Sequence, residues 1–135
     1  MNDTEVTVVG TVLTEPKRRK VEKTGQSVTT FLVIANSRRF DRERNEWVDG
    51  PYFRIRVNCW RRLADNVAKS VFVGEPVIAK GRITTDDWED ENGQRRTQFE
   101  MEAWAIGHDL SRGTTVFTKS RPENRGGVVV DEDPD

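Results

Sequence analysis

The sequence holds one cysteine, Cys59, in 135 residues. No intrachain disulfide can form, so the stapled frameworks of small secreted proteins are excluded. Its one histidine, His108, leaves no cluster of soft ligands at zinc spacing, and no Ser-Asp pairing is signalled beside it for nucleophilic catalysis. Long hydrophobic runs are missing. The longest reach about five residues, as in Phe31 to Ala35, against the roughly 20 of a membrane span. Met1 is followed by polar and acidic residues rather than a basic stretch and an apolar core. No signal peptide is expected, and a cytoplasmic location is. No Gly-rich loop ends in Lys-Ser or Lys-Thr, which speaks against a nucleoside triphosphatase. Apolar residues are scarce, 34% against 33% charged. That balance suits a single small barrel with little interior, or a chain that buries more surface in an oligomer.

The net charge of −1 hides a segregation. Gly126 to Asp135 carry four acids and no Lys or Arg, and the rest balances 22 basic against 19 acidic residues, or +3. Basic residues cluster at Lys17 to Lys20, Arg38-Arg39, Arg61-Arg62 and Arg95-Arg96. The hairpin acids Asp86, Asp87, Glu89, Asp90 and Glu91 fit no calcium-loop template and read as a solvated tip facing Arg95 and Arg96. No metal, cofactor or catalytic constellation is expected.

Val6 to Leu13, rich in β-branched residues, predicts a strand, with Gly10 at a bend. Glu15 to Lys20 reads as a charged connection that Pro16 keeps out of a sheet centre. Val28 to Ala35, uncharged throughout, predicts a second strand covered on both faces. Ser37 to Pro51 reads as a strand end followed by a long charged loop, with Phe40 and Trp47 among its arginines. The third strand, Tyr52 to Trp60, alternates. Phe53, Ile55, Val57 and Cys59 fall on one face, and Tyr52, Arg54, Arg56, Asn58 and Trp60 on the other. Leu63, Ala64, Val67, Ala68 and Val71 then recur at helical spacing, and Gly74 and Pro76 stop the helix. Val77 to Glu89 and Arg95 to Ile106 predict a long hairpin turned at Asn92-Gly93, a pair that suits a type I′ turn. Thr114 to Thr118 is compatible with a short sixth strand pairing with another subunit.

The resulting order of three strands, a helix and two strands is that of an OB-fold. It is an all-β class with small α content, a five-stranded Greek-key barrel with one helix between strands 3 and 4. Three regions are expected: a binding domain over 1–110, an extra strand or subunit clamp over 111–119, and a flexible acidic tail over 120–135 that includes Val128-Val129-Val130. On strand 3, cations and aromatic rings share one outward stripe. Phosphates and unstacked bases call for that combination.

Several segments in register carry a resemblance: Val8-Val9-Gly10, Val28-Thr29-Thr30-Phe31 with Ala35-Asn36-Ser37, Arg56-Val57-Asn58-Cys59-Trp60 with Leu63-Ala64, and Gly81-Arg82-Ile83 running to Trp88 and Asn92-Gly93. From about Val6 to Leu110 the chain resembles the bacterial single-stranded DNA-binding protein family. The resemblance implies a homotetramer that binds single-stranded DNA without strong sequence preference or cofactor, in replication, recombination or repair. It puts the family's stacking aromatics on Phe40, Trp60 and Trp88, an arginine, Arg54, where a fourth aromatic stands, and the family's basic residue on Arg56. The phosphate-following cations are then Arg38, Arg54, Arg56, Arg82 and Arg95. Trp104 is expected in a subunit contact. The family's long linker and Pro-Phe tip are absent, since Asp131-Glu132-Asp133 lead to Pro134-Asp135. The chain thus looks like the shorter, actinobacterial-type paralogue, without the terminal Phe through which replication or repair proteins are recruited. Two other readings stay open: an OB-fold accessory of replication restart, and a protein-protein adaptor whose aromatic face meets a polypeptide.

Overall fold

The computed structural model describes residues 2–121. β-Branched and aromatic residues at alternate positions favour extended pairing, and six strands form: β1 Glu5–Val12, β2 Lys17–Lys20, β3 Ser27–Asp41, β4 Glu46–Trp60, β5 Pro76–Glu89 and β6 Arg95–His108. One helix, α1 Arg61–Ser70, follows β4 directly. The corner is taken by Arg61 at a left-handed φ of +60°. The sheet order is β1-β5-β6-β4-β3-β2, with β4 and β6 parallel and the other pairs antiparallel. β1 also closes the barrel, pairing Thr11 with Ile34 and Val12 with Val33. This is the OB-fold expected, with its helix between the third and fourth predicted strands.

Gly10 makes the closure possible. A Cβ there would stand 2.5 Å from the Ile34 carbonyl oxygen, closer than any side chain tolerates. Gly81 has the same role at the β5–β6 register shift, where a Cβ would collide with the Glu102 backbone. Val8, Val12, Phe31, Val33, Ile55, Val57, Cys59, Val77, Ala79 and Met101 fill the interior. Ala64, Val67 and Val71 pack against this core from α1 and the residue that follows it. The alternation read in β4 holds: Ile55, Val57 and Cys59 are fully buried, while Arg54 and Trp60 are exposed. Thr29 is buried at no polar cost, because its Oγ1 donates to the Ala64 carbonyl at 2.8 Å. Burial, with the charge of Glu102 nearby, pushes the Cys59 thiol up to about 12, so it stays protonated and unreactive.

Four segments differ from the sequence reading. Lys17–Lys20 is a strand, not a connection: β2 pairs Lys17 with Thr30 and Lys20 with Ser27. All four residues are exposed, which suits a charged sheet edge. Thr114 to Thr118 forms no strand with the described residues, so the sixth strand is β2 instead. Ser37 to Pro51 is mostly hairpin rather than loop. β3 and β4 run out together to Asp41 and Glu46, with Phe40 opposite Trp47. The turn is made by Asn45 at φ +56° and by Asp41 Oδ1, which accepts from the Glu43 N–H at 3.0 Å. Beyond the barrel both faces of a ribbon meet solvent, so no apolar alternation marks it. The β5–β6 turn is also not type I′. Only Gly93 is left-handed, at φ +77°, and Asp90 Oδ1 accepts from the N–H groups of Asn92 and Gln94. The acidic tail lies, from residue 122 on, outside the described residues.

Candidate nucleic-acid interface

Strand register decides what shares the outer face. Along β3 and β4 the outward pairs are Val28 with Trp60, Thr30 with Asn58, Leu32 with Arg56, Ile34 with Arg54 and Asn36 with Tyr52. Leu32 and Ile34 are only half-buried. Ser27, Val28 and Thr29 are buried in succession, so β3 is covered on both faces at its start, as its lack of charge had suggested, but not from Thr30 on. The register shifts between Asn36 and Arg38, where the extra residue lies on β4. Arg38 opposite Asp49 and Phe40 opposite Trp47 then continue the stripe. On the other side of β4, Arg56 aligns with Glu100 and Asn58 with Glu102. β5 adds Arg82 opposite Glu102, Asp86 opposite Gln98 and Trp88 opposite Arg96. At the far edge, β2 turns Lys17 and Arg19 to the same face as Thr30 and Val28. Lys17, Arg19, Thr30, Leu32, Arg56 and Gln98 line a shallow groove across it. Arg18 points the other way and fastens β2 to the body through Asp65 of α1 at 2.6 Å and Ser27 at 2.8 Å.

The expected stacking rings are exposed on this face: Phe40 at 42%, Trp60 at 38% and Trp88 at 43%. The cations divide into two kinds. Arg54 and Arg38 are exposed and have no salt-bridge partner among the described residues. Arg56 instead donates from Nη2 to Glu100 Oε2 at 2.7 Å and to Asp86 Oδ2 at 3.2 Å. Asn58 Nδ2 reaches Glu100 Oε1 at 2.9 Å and Glu102 Oε2 at 3.0 Å, and its Oδ1 accepts from Thr30 at 2.9 Å. The Trp60 indole N–H donates to Glu102 Oε1 at 2.7 Å. Partial burial works to raise the pKa of Glu100, but hydrogen bonds from Asn58 and Arg56, and the charge of Arg56, hold it below the usual carboxylate range.

The middle of the face is thus a network of three carboxylates and one guanidinium that orients Trp60 and neutralises Arg56. Arg56, expected from the sequence to follow phosphate, is thus held by Glu100 and Asp86. Arg95, expected to do the same, is placed elsewhere. It pairs with Glu89, one register step from Trp88, which puts it on the opposite face of the hairpin. Arg96 takes the outward position and is bound to Asp90 at 2.8 Å. Arg82 stays on the face, in a loose pair with Asp3 at 3.8 Å. Glu100 and Glu102 were not singled out as site residues, because their only signal is cross-strand register, which a single sequence does not carry; Asn58, Lys17 and Arg19 were visible only as an outward position and as part of a basic run. The hairpin acids were read as facing Arg95 and Arg96; Asp90 does so, whereas Asp86 turns to Arg56.

Residues 3–109 match the model of the single-strand binding protein family. The chain is 37% identical over 124 residues to single-stranded DNA-binding protein 2 of Streptomyces coelicolor, covering 92% of this chain and 62% of that protein. Against the protein of the same name from Streptomyces avermitilis it is 43% identical over 131 residues, 95% of this chain and 80% of the relative. Among solved structures it is similar to the small single-stranded DNA-binding protein from Streptomyces coelicolor, with a TM-score of 0.73, 36% identity, and coverage of 84% of this chain and all of that one. The second single-stranded DNA-binding protein of Mycobacterium smegmatis gives 0.64 and 30%, covering 87% of this chain and all of that one.

Proposed function

The chain belongs to the single-strand binding protein family, and we propose that it binds single-stranded DNA, largely without regard to sequence, on the outer face of β3, β4 and β5. It is a binding protein and not an enzyme. One observation carries this reading: exposed rings at Phe40, Trp60 and Trp88 share a face with the unpaired guanidinium groups of Arg38 and Arg54. Every base has a π-face, so stacking tolerates any sequence, and each stacked base contributes about 1–3 kcal/mol. By the resemblance, Arg54 stands where the family carries an aromatic. Its planar guanidinium can stack and also pair a phosphate. Arg82 assists at the far end of the face, while Arg56 positions the strand's surroundings through its carboxylates.

The finer parts of the reading belong to the same proposal. The protein acts as a homotetramer in the cytoplasm, associated with the nucleoid, during replication, recombination or repair. Residues 1–110 bind DNA, 111–119 clamp a neighbouring subunit and 120–135 form an acidic tail. The clamp is supported by Val116 and Phe117, which are 91% and 84% exposed in a segment held to α1 by Asn66 and Ser120 at 3.0 Å. Trp104, exposed beside the β5–β6 register shift, fits a subunit contact. Among the described residues, no helix is long and apolar enough to cross a membrane.

The test is a titration of oligo-thymidine against tryptophan fluorescence. Strong quenching that weakens with salt is expected. An unchanged signal at every salt concentration refutes single-strand binding and leaves the adaptor reading.

A further inference from the structure

Trp60 is set apart from the other rings of the face by what stands at its rim. Its indole N–H donates to Glu102 Oε1 at 2.7 Å, a short, charge-assisted bond. Among the described residues, the indole N–H groups of Trp47, Trp88 and Trp104 have no such partner. The N–H lies in the plane of the ring, so its acceptor stands at the ring's edge and not beneath it. The residue is 38% exposed, and Glu102 borders whatever base covers the open ring. Glu102 is half-buried, which strengthens a hydrogen bond to it over one in open water. Each carboxylate oxygen has about two acceptor positions. Oε1 of Glu102 uses one for Trp60, and Oε2 uses one for Asn58 Nδ2 at 3.0 Å. The donors nearby are already engaged. Asn58 Nδ2 reaches both Glu102 and Glu100, the Thr30 hydroxyl donates to Asn58 Oδ1, and Arg56 Nη2 serves Glu100 and Asp86. Arg82, aligned with Glu102 across β5 and β6, is paired with Asp3 at 3.8 Å. What the network leaves open beside the ring is therefore acceptor and not donor.

We infer that Glu102 is a specificity-determining residue: its carboxylate accepts a hydrogen bond from the exocyclic amino group of the base on Trp60, so cytosine and adenine are held there in preference to thymine. The inference rests on the single-strand reading of this face and adds to it a choice of base at one position. Cytosine N4 and adenine N6 carry N–H donors, whereas thymine presents a carbonyl oxygen, O4, at the equivalent place. An amino group meets a carboxylate as donor to acceptor. A carbonyl oxygen set against the same carboxylate brings two acceptors together, and neither satisfies the other. The two pyrimidines cover the ring to nearly the same extent, so the edge decides between them. The choice is confined to this position, because among the described residues no carboxylate is bonded at the rim of Phe40 or Trp88. A strand bound at several rings is read at one of them, and binding elsewhere stays tolerant of sequence.

The experiment uses the full chain and three oligonucleotides of one length, about sixteen nucleotides. They are oligo-deoxycytidine, oligo-thymidine, and oligo-deoxycytidine methylated twice at N4, which keeps the ring and lacks the donor. Titrations are run at mildly alkaline pH, where cytosine N3 is unprotonated. The wild type is expected to bind oligo-deoxycytidine about three- to tenfold more tightly than oligo-thymidine. It should bind the dimethylated strand no more tightly than oligo-thymidine. Glu102→Gln should bring the ratio of the cytidine and thymidine affinities to within about twofold of one. A role confined to holding Trp60 would change both affinities by the same factor and leave their ratio where it was, which overturns the proposal. So does a wild-type ratio of one or below, or a dimethylated strand that binds as well as oligo-deoxycytidine. A wild-type chain that binds none of the three strands defeats the single-strand reading itself, a result separate from any ratio.

Discussion

Arg54 and Arg56 sit two residues apart on one strand face, and the structure separates their roles. A cation that neutralises a phosphate on single-stranded DNA releases a counterion and contributes about 0.7 to the slope of log affinity against log salt. Arg54 has no carboxylate partner, so Arg54→Ala is expected to lower that slope by about 0.7. Over a salt increase from about 50 to about 200 mM, the ratio of wild-type to variant affinity then shrinks about 2.6-fold. Stability should stay within about 0.5 kcal/mol, since the side chain is exposed and unpaired. Arg56 is already balanced by Glu100 and Asp86 at 2.7 and 3.2 Å. Removing it leaves the slope unchanged, because no counterion was displaced from DNA there. It does leave two carboxylates uncompensated on a face that meets a polyanion. Arg56→Ala therefore binds more weakly at every salt concentration, and it loses about 1 kcal/mol of stability, a small figure because the pair is partly solvated. The assay is a salt series of oligo-thymidine titrations, paired with urea denaturation. If Arg56→Ala lowers the slope by about 0.7 while Arg54→Ala does not, the network is not what decides which arginine meets phosphate.

Glu102→Gln keeps a side-chain oxygen for the Trp60 indole and removes one negative charge from the face; oligo-thymidine affinity at low salt should rise about two- to fivefold, and a decrease would show that the carboxylate's grip on Trp60 matters more than its charge. Folding lowers the pKa of Glu100, so its contribution to stability is complete above the unfolded value of about 4.3 and is lost as pH falls through the lower folded value. Thermal midpoints are thus expected to be flat above about pH 5 and to drop below about pH 4, less steeply in Glu100→Gln. Gly10→Ala forces a Cβ against the Ile34 carbonyl at the barrel closure, and should cost about 2–4 kcal/mol in urea denaturation.

Much of the fold could be read from the chain. Phe53 to Cys59 and Leu63 to Val71 announced their periods because each presents one face to the same interior, and burial imposes alternation or helical spacing on whatever faces it. The outward stripe with Arg54 and Trp60 followed as the complement of that pattern. The β3–β4 ribbon beyond Asn36 was not legible, since residues wet on both faces need no pattern. β2 was hidden for a related reason: four cations in a row resemble a loop until Thr30 and Ser27 supply the pairing.

Charge pairing was decided at a longer range still. Glu100 lies 44 residues from Arg56, and Glu102 lies 42 from Trp60. Only the parallel alignment of β4 with β6 brings them together. Local sequence dictated which residues point outward, because side-chain direction is a property of a strand's own backbone. Which outward residues cancel each other and which stay free for DNA depends on neighbours across the sheet, and register exists only once the barrel has closed.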